Sequence, residues 1–335
     1  MQDFKFDPVE KFDFQPADFV PFKNKEVCER VRSMSGKELE KHEDWQHPEF
    51  AVKVMMNPHP VLIATLFTRL KAASEAGKKF TMILGNPEPE TYIPLAQLIN
   101  YFGVDCSKVN VFAEDEWADQ DGNIAPITYG AGFAHSMLKY LVYQIDPKLR
   151  MPLENVYFPT NKNIDSYSDM INDVSEGGAD IISTSPGWTG HVAFVDPIIE
   201  FVHDPDILSG KKEPTQADID RWLSTKAQRV KLNPMTIMQN SLNGTFGQSG
   251  DIANVPPMAA TIGPIDVMRA KERIEVHALA TNGTFSSWQR MTSRLVTHGP
   301  VTPLVPSSML QTKKTQVYIS DELAAPFECW EKVGY

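Results

Sequence analysis

The sequence predicts an α/β protein, with a mostly parallel sheet covered by helices on both faces. Short apolar runs such as Val109-Asn-Val-Phe-Ala113 read as strands buried on both sides. Segments of about 10–15 residues with helical spacing separate them, the rhythm of repeated βαβ units. Glycine-rich or acidic turns then follow several strands, at the edge where open α/β sheets hold their ligands. The 335 residues, 42% hydrophobic and 22% charged, are enough for a large core of ordinary globular composition.

Residues 1–25 read as an aromatic N-terminal extension. Phe4, Phe6, Phe12, Phe14, Phe19 and Phe22 alternate with acids, lysines and Pro8, Pro16 and Pro21. The prolines forbid a long helix, and the phenylalanines are too many to leave in water. An extended arm, laid over its own globule or a neighbouring subunit, satisfies both. Residues 26–335 are expected to form a single α/β domain with an irregular insertion at about 198–256.

Within that domain, Val27, Val31 and Met34 have helical spacing, and 50–56 suits a strand or the start of a helix. Leu62, Leu66, Leu70 and Ala73 share one face, predicting a helix over 61–76 ended by Gly77. A strand at 79–85, a helix over 91–101 and a strand at 109–113 follow. The last runs straight into Glu114-Asp115-Glu116-Trp117. A helix over 130–144, a strand at 155–158 and a helix over 165–174 lead to a strand at 179–182. In 198–256 only short helices near 197–203 and 216–226 are expected; the rest reads as a lid or binding loop. Strands at 259–263, 273–279 and 316–319 and helices over 264–270 and 285–297 complete the pattern, before an acidic tail helix. Right-handed crossovers place the loops 85–91, 114–119 and 187–196 together at the carboxyl edge of the sheet.

The formal net charge of −11 argues against nucleic acid or an anionic membrane surface as partner. Cys28, Cys106 and Cys329 are an odd set without metal-ligand spacing, which suits reduced thiols. No stretch reaches the roughly 18–20 apolar residues of a membrane span, and the N-terminus has no signal-peptide core. A cytoplasmic protein is expected.

The stretch after the 179–182 strand, Ser183-Thr-Ser-Pro-Gly-Trp-Thr-Gly-His-Val-Ala-Phe-Val-Asp-Pro197, carries a histidine and an acid in a glycine-rich turn. An unperturbed imidazole titrates near neutrality, so Asp196 can tune His191 as an acid/base. A surface turn with a histidine is the plainer alternative. Glu114, Asp115 and Glu116 stand at the end of another strand. Held close and buried, such carboxylates raise one another's pKa and make a general base. In solvent they are merely an acidic loop. No nucleophile elbow, metal-ligand spacing, P-loop or G-x-G-x-x-G is present.

Val111-Phe-Ala-Glu-Asp-Glu-Trp117 followed by Gly190-His-Val-Ala-Phe-Val-Asp-Pro197 resembles the glucosamine-6-phosphate deaminase/isomerase family, which is related to the 6-phosphogluconolactonases. The resemblance spans about residues 55–320 and implies a Rossmann-like three-layer fold of the glucosamine-6-phosphate isomerase-like superfamily. It implies that Asp115 resembles the base moving a proton between C1 and C2, with Glu116 beside it. His191 resembles the group assisting ring opening, and Asp196 the acid supporting it. No metal or organic cofactor is implied. Sugar or sugar-phosphate contacts are expected from Gly85, Asn86, Thr91, Gly187, Trp188, Thr189 and Gly190, with Arg229, Lys231 and Thr284 as sources of positive charge or a helix N-terminus.

Departures are equally legible. Thr189 replaces a family aspartate and removes a charged base or orienter. The family's Gly/Ser/Thr-rich phosphate loop is here Gly85-Asn-Pro-Glu-Pro-Glu-Thr91, whose prolines lack N–H groups and whose glutamates repel a dianion. The family's phosphate-binding arginine falls on Leu242. A sugar or amino-sugar isomerase/deaminase with an altered phosphate site is expected, as a homo-oligomer. A sugar lactonase or a non-catalytic sugar-binding relative are the alternatives.

Overall fold

The computed structural model describes residues 14–43, 45–85, 88–278 and 287–327. Among these residues ten strands are described: β1 (Phe50–Met55), β2 (Phe80–Leu84), β3 (Val109–Ala113), β4 (Asp115–Ala118), β5 (Val156–Tyr157), β6 (Ile181–Thr184), β7 (Gln228–Lys231), β8 (Met258–Thr261), β9 (Glu272–His277) and β10 (Thr315–Ser320). Seven form one sheet, ordered β1-β10-β9-β6-β2-β3-β5, and every neighbouring pair is parallel. The α-helices are α1 (Lys25–Ser33), α2 (His59–Glu75), α3 (Pro89–Phe102), α4 (Phe133–Tyr140), α5 (Tyr167–Val174), α6 (Ile199–Val202), α7 (Pro205–Leu208), α8 (Gln216–Leu223), α9 (Pro234–Asn240), α10 (Pro264–Arg269), α11 (Gln289–His298) and α12 (Asp321–Ala324).

The strand period of two assigns the core to two layers. Met82 and Leu84 pack with Leu62, Leu66 and Leu70 of α2 and Leu95 and Ile99 of α3. Ile83 faces the other way, with Phe112, Ile182, Val317 and Ile319, against Ile171 of α5 and Val267 of α10. The α2 stripe is the i, i+4 series expected of a helix lying on a sheet, and Gly77 just beyond it takes a left-handed φ of +61°. The fold is thus the three-layer, mostly parallel α/β architecture expected.

The sequence expectation fails at the acidic turn. Residues 114–119 are not a loop: β4 leaves the central sheet and pairs antiparallel with β8, which also pairs with β7. The 259–263 strand therefore belongs to this second sheet, not the parallel one. Strand β7 lies inside the supposedly irregular 198–256 segment, which also holds α6, α7, α8 and α9. Trp117 anchors the second sheet. It is fully buried, its ring centroid 5.0 Å from both Phe133 and Phe194 and 5.8 Å from Phe246.

The described part of the N-terminal arm lies on its own globule. Phe22 packs onto a small cluster of Val202, Ile207 and Leu304, while Lys23 Nζ donates to Ser209 O (3.3 Å). Phe14 and Phe19 are exposed; Phe4, Phe6 and Phe12 lie outside the described residues. Among the described residues no helix is long and apolar enough to cross a membrane.

Candidate active site

The carboxyl ends of β6, β2 and β3 are tied together through their backbones. Gly85 N donates to Ser183 O (3.2 Å), and Glu114 N to Leu84 O (3.2 Å). Ile262 N donates to Glu114 O (2.8 Å), so Glu114 is pinned to both sheets. Asp115 pairs with Thr261, whose hydroxyl accepts from Phe194 N (3.1 Å) in the histidine loop. Gly85, Glu114, Asp115 and the 187–196 loop thus meet at this edge.

His191 and Asp196 form a buried pair. His191 Nδ1 lies 2.9 Å from Asp196 Oδ1, and Asp196 is wholly inaccessible to solvent. The same Oδ1 accepts from Thr189 Oγ1 (2.6 Å) and Thr236 Oγ1 (2.9 Å), while Asn233 N approaches Oδ2 at 3.4 Å. A carboxylate only accepts, so in the neutral imidazole the hydrogen resides on Nδ1 and Nε2 keeps its lone pair. Thr189, in the position where the sequence lost a charged orienter, still orients the pair through its hydroxyl. Gly187 is needed beside it, because a Cβ there would lie 1.9 Å from His191 Nε2. Gly190, at φ +77°, turns the chain so that its carbonyl accepts from Ser307 N (2.7 Å).

The acids divide into unlike roles. Asp115 is 6% exposed; burial, then the charges of Glu114 and Glu116, push its carboxyl well above the usual range. Glu114, also 6% exposed, is pushed up to about 8 by burial and then by Glu275. Its Oε2 has no hydrogen-bond partner among the described residues. Glu275 sits in a fully buried chain: its Oε1 is 2.7 Å from His277 Nε2, and its Oε2 accepts from Thr184 Oγ1 (3.1 Å). His277 Nδ1 is in turn 2.8 Å from Ser293 Oγ. That Ser-His-Glu series is buried among the described residues, and Glu275 raises Glu114 by its charge.

No known family profile matches the chain. A glucosamine-6-phosphate deaminase of Alkaliphilus oremlandii is 25% identical over 268 residues, covering 78% of this chain and 92% of the relative. Glucosamine-6-phosphate deaminase 2 of Bacillus subtilis is 26% identical over 228 residues, 66% of this chain and 74% of the relative.

The chain is a divergent relative of the glucosamine-6-phosphate deaminases.

Solved structures give the same fold. A deaminase described as monomeric superposes with a TM-score of 0.61 at 16% identity, covering 82% of this chain and 98% of its own. The 6-phosphogluconolactonase of Thermotoga maritima follows at a TM-score of 0.53 and 13% identity, covering 81% and 99%.

For this divergent deaminase relative, several residues singled out in the sequence have structural employment instead. Glu116 accepts from the backbone N–H groups of Trp117 (2.9 Å), Phe133 (3.1 Å) and Ala134 (2.8 Å), holding the start of α4. Three backbone donors give it a structural role there. Arg229 Nε donates to Gly122 O (3.0 Å), and its guanidinium also reaches Asp165 and the Asn161 carbonyl. Lys231 is exposed in register with Met258, three residues and so about 10 Å along the sheet from the Asp115–Thr261–Gln228 row. Thr91 lies buried in the first turn of α3, its hydroxyl 3.3 Å from His59 Nδ1. Trp188 is 38% exposed and stacks on Trp288 at 6.0 Å. Asn86 and Thr284 lie outside the described residues.

Thr236, Glu275 and His277 escaped the sequence reading. Thr236 lies in α9, within the segment read as irregular; the N-cap Asn233 and Pro234 at the first helical position marked that helix. Glu275 and His277 were legible as two ionisable residues on one face of a central strand, which burial must pair.

Proposed function

We propose that this protein is an acid/base sugar isomerase or deaminase related to the glucosamine-6-phosphate deaminases, with an altered phosphate end. The observation that carries this reading is the His191–Asp196 pair on the same sheet edge as the buried carboxyl of Asp115. His191, with Nε2 free, takes and returns a proton at the sugar-ring oxygen during opening. Asp115, once ionised, removes the C2 proton of the open-chain sugar and returns it at C1. Isomerisation also passes the proton of the C2 hydroxyl or amine to O1, and the two transfers together balance it. Loss of ammonia from an amino sugar also consumes one water. Thr189, Thr236 and Asp196 keep the imidazole in one tautomer, and Glu114 sets the pH at which Asp115 becomes a base.

The test is exchange of the substrate C2 proton in deuterated water, followed by NMR across phosphorylated and unphosphorylated hexoses and hexosamines. Wild-type protein should exchange it; Asp115→Asn should lose at least a thousandfold in rate, and His191→Gln should lose activity on the cyclic form first. Acid release from a sugar lactone without exchange would replace this reading by hydrolysis, with Nε2 activating water. Silence on both assays, with sugars still binding, would leave a non-catalytic sugar-binding protein.

A further inference from the structure

Helix α11 grips the loop that carries His191. Gln289, Thr292 and Ser293 stand at i, i+3 and i+4, so they share one face of the helix, and all three are buried. The Gln289 amide gives both of its hydrogens to the loop, donating from Nε2 to Pro186 O (2.7 Å) and to Ser185 Oγ (3.2 Å). Thr292 Oγ1 lies 3.0 Å from both Trp188 O and Trp288 O and shares its one hydrogen between them. Ser293 Oγ, 2.8 Å from His277 Nδ1, continues through Glu275 to Thr184 Oγ1. Residues 184, 185, 186 and 188 are thus each tied to α11, directly or through β9. Among the described residues no backbone N–H reaches the carbonyl of Pro186 or Trp188, so these side chains are what fixes them.

The helix is itself anchored at its other end. Arg30 donates to His298 O (2.7 Å), Trp45 Nε1 to Thr297 O (2.7 Å) and Gln311 Nε2 to Val296 O (2.7 Å), serving carbonyls that the last turn of a helix leaves open. A fixed helix therefore sets the place of two loop carbonyls, and Gly187 is the residue between them. Gly187 N donates to His191 O (3.0 Å), and its own carbonyl accepts from Gly190 N (2.9 Å). The imidazole rests on this residue: the Cβ position that falls 1.9 Å from Nε2 falls 2.1 Å from Cε1. A small shift of the Pro186 and Trp188 carbonyls moves Gly187, and with it the surface that seats the Nε2 edge of the ring.

We infer that Gln289 is a positioning residue for His191: with Thr292 it fixes the 186–188 backbone, and so the direction in which Nε2 presents its lone pair. Thr189, Thr236 and Asp196 set which nitrogen carries the hydrogen; α11 sets where the other nitrogen points. This rests on the acid/base role proposed for His191 and extends it to a residue outside the loop.

Gln289→Met keeps the length of the side chain and removes both donors. In the C2-proton exchange assay its kcat should fall about a hundredfold, the cost of misplacing a catalytic group, with KM changed less than about threefold. The deciding readout is a double variant. In a His191→Gln background, Gln289→Met should cost less than about twofold, because the group it positions is gone. Thr292→Val should show the same dependence on His191 with a smaller loss, and it carries the test if Gln289→Met does not fold. Equal losses with and without His191, or a change in KM alone, overturn the positioning role. The ¹⁵N resonance of His191 Nε2 separates this claim from the catalytic one. A resonance that moves in Gln289→Met, in a protein whose wild type exchanges no sugar proton, keeps the positioning and sinks the acid/base reading. Wild-type exchange, with neither kcat nor the resonance responding to Gln289→Met, keeps the acid/base reading and sinks the positioning.

Discussion

At the scale of single residues, the site depends on a glycine as well as on the charges beside it. Gly187 has an ordinary φ, so alanine there is tolerated by the backbone, but its methyl would occupy the position of the His191 ring. Gly187→Ala should leave the melting temperature within a few degrees while reducing turnover by about a hundredfold or more, the scale expected when a catalytic group is misplaced. Wild-type activity with the imidazole displaced would sink the proposed role of Nε2. A second prediction concerns pH. Because burial, and then Glu114, raise Asp115, its base form should gain population only above the ordinary carboxylate range. The rising limb of the pH–rate profile should therefore move to lower pH in Glu114→Gln, since a negative neighbour is removed. A limb that stays in place would separate Asp115 from the rate.

At the scale of elements, β4 is the piece that pattern reading handled worst. Asp-Glu-Trp-Ala has little strand propensity and sits beside a run of acids, so it reads as an exposed loop. Tertiary context overrides that preference: Trp117 is buried among aromatic rings, and Glu116 binds three backbone donors at the start of α4. Glu116→Ala should cost about 2 kcal/mol by chemical denaturation, through the orphaned amides of α4. Trp117→Ala should cost more, about 3–5 kcal/mol. If Glu116→Ala were neutral to stability yet abolished proton exchange, the structural assignment would fail. The long regular elements were easier: α2, β2, α3 and β3 lie within two residues of their expected ends, because periodicity, proline and glycine all agree there.

At the scale of the molecule, the carboxyl edge concentrates protonated acids, and that sets a pH dependence of stability. Glu114 (about 8), Glu88 (about 7) and Asp266 (about 6) all titrate above their unfolded values because of burial. Between pH 4.5 and these values the folded chain holds protons that the unfolded chain has released. Their stabilising contribution is complete in acid and is lost as pH rises. The melting temperature should therefore fall between about pH 4.5 and 8, and Glu114→Gln should flatten that slope. A melting temperature that rises over this interval would refute the assignment. The layers, the parallel sheet and the edge where the loops meet followed from strand and helix rhythm alone. Long-range hydrogen bonds did not, because Thr236 lies 40 residues from Asp196 and no local spacing links them.

Glu114 is the single residue between the end of β3 in the central sheet and the start of β4 in the second sheet. A crossing this short has no slack. One residue gained or lost there would slide β4 against β8, and in a strand of period two every side chain of Asp115–Ala118 would change face. Asp115 and Trp117, which share one face, would turn away from it together, and Glu116 and Ala118 would take their places. The joint is thus fixed in length as well as in its side chains, and indel scanning should find here an interval as intolerant as any in the protein.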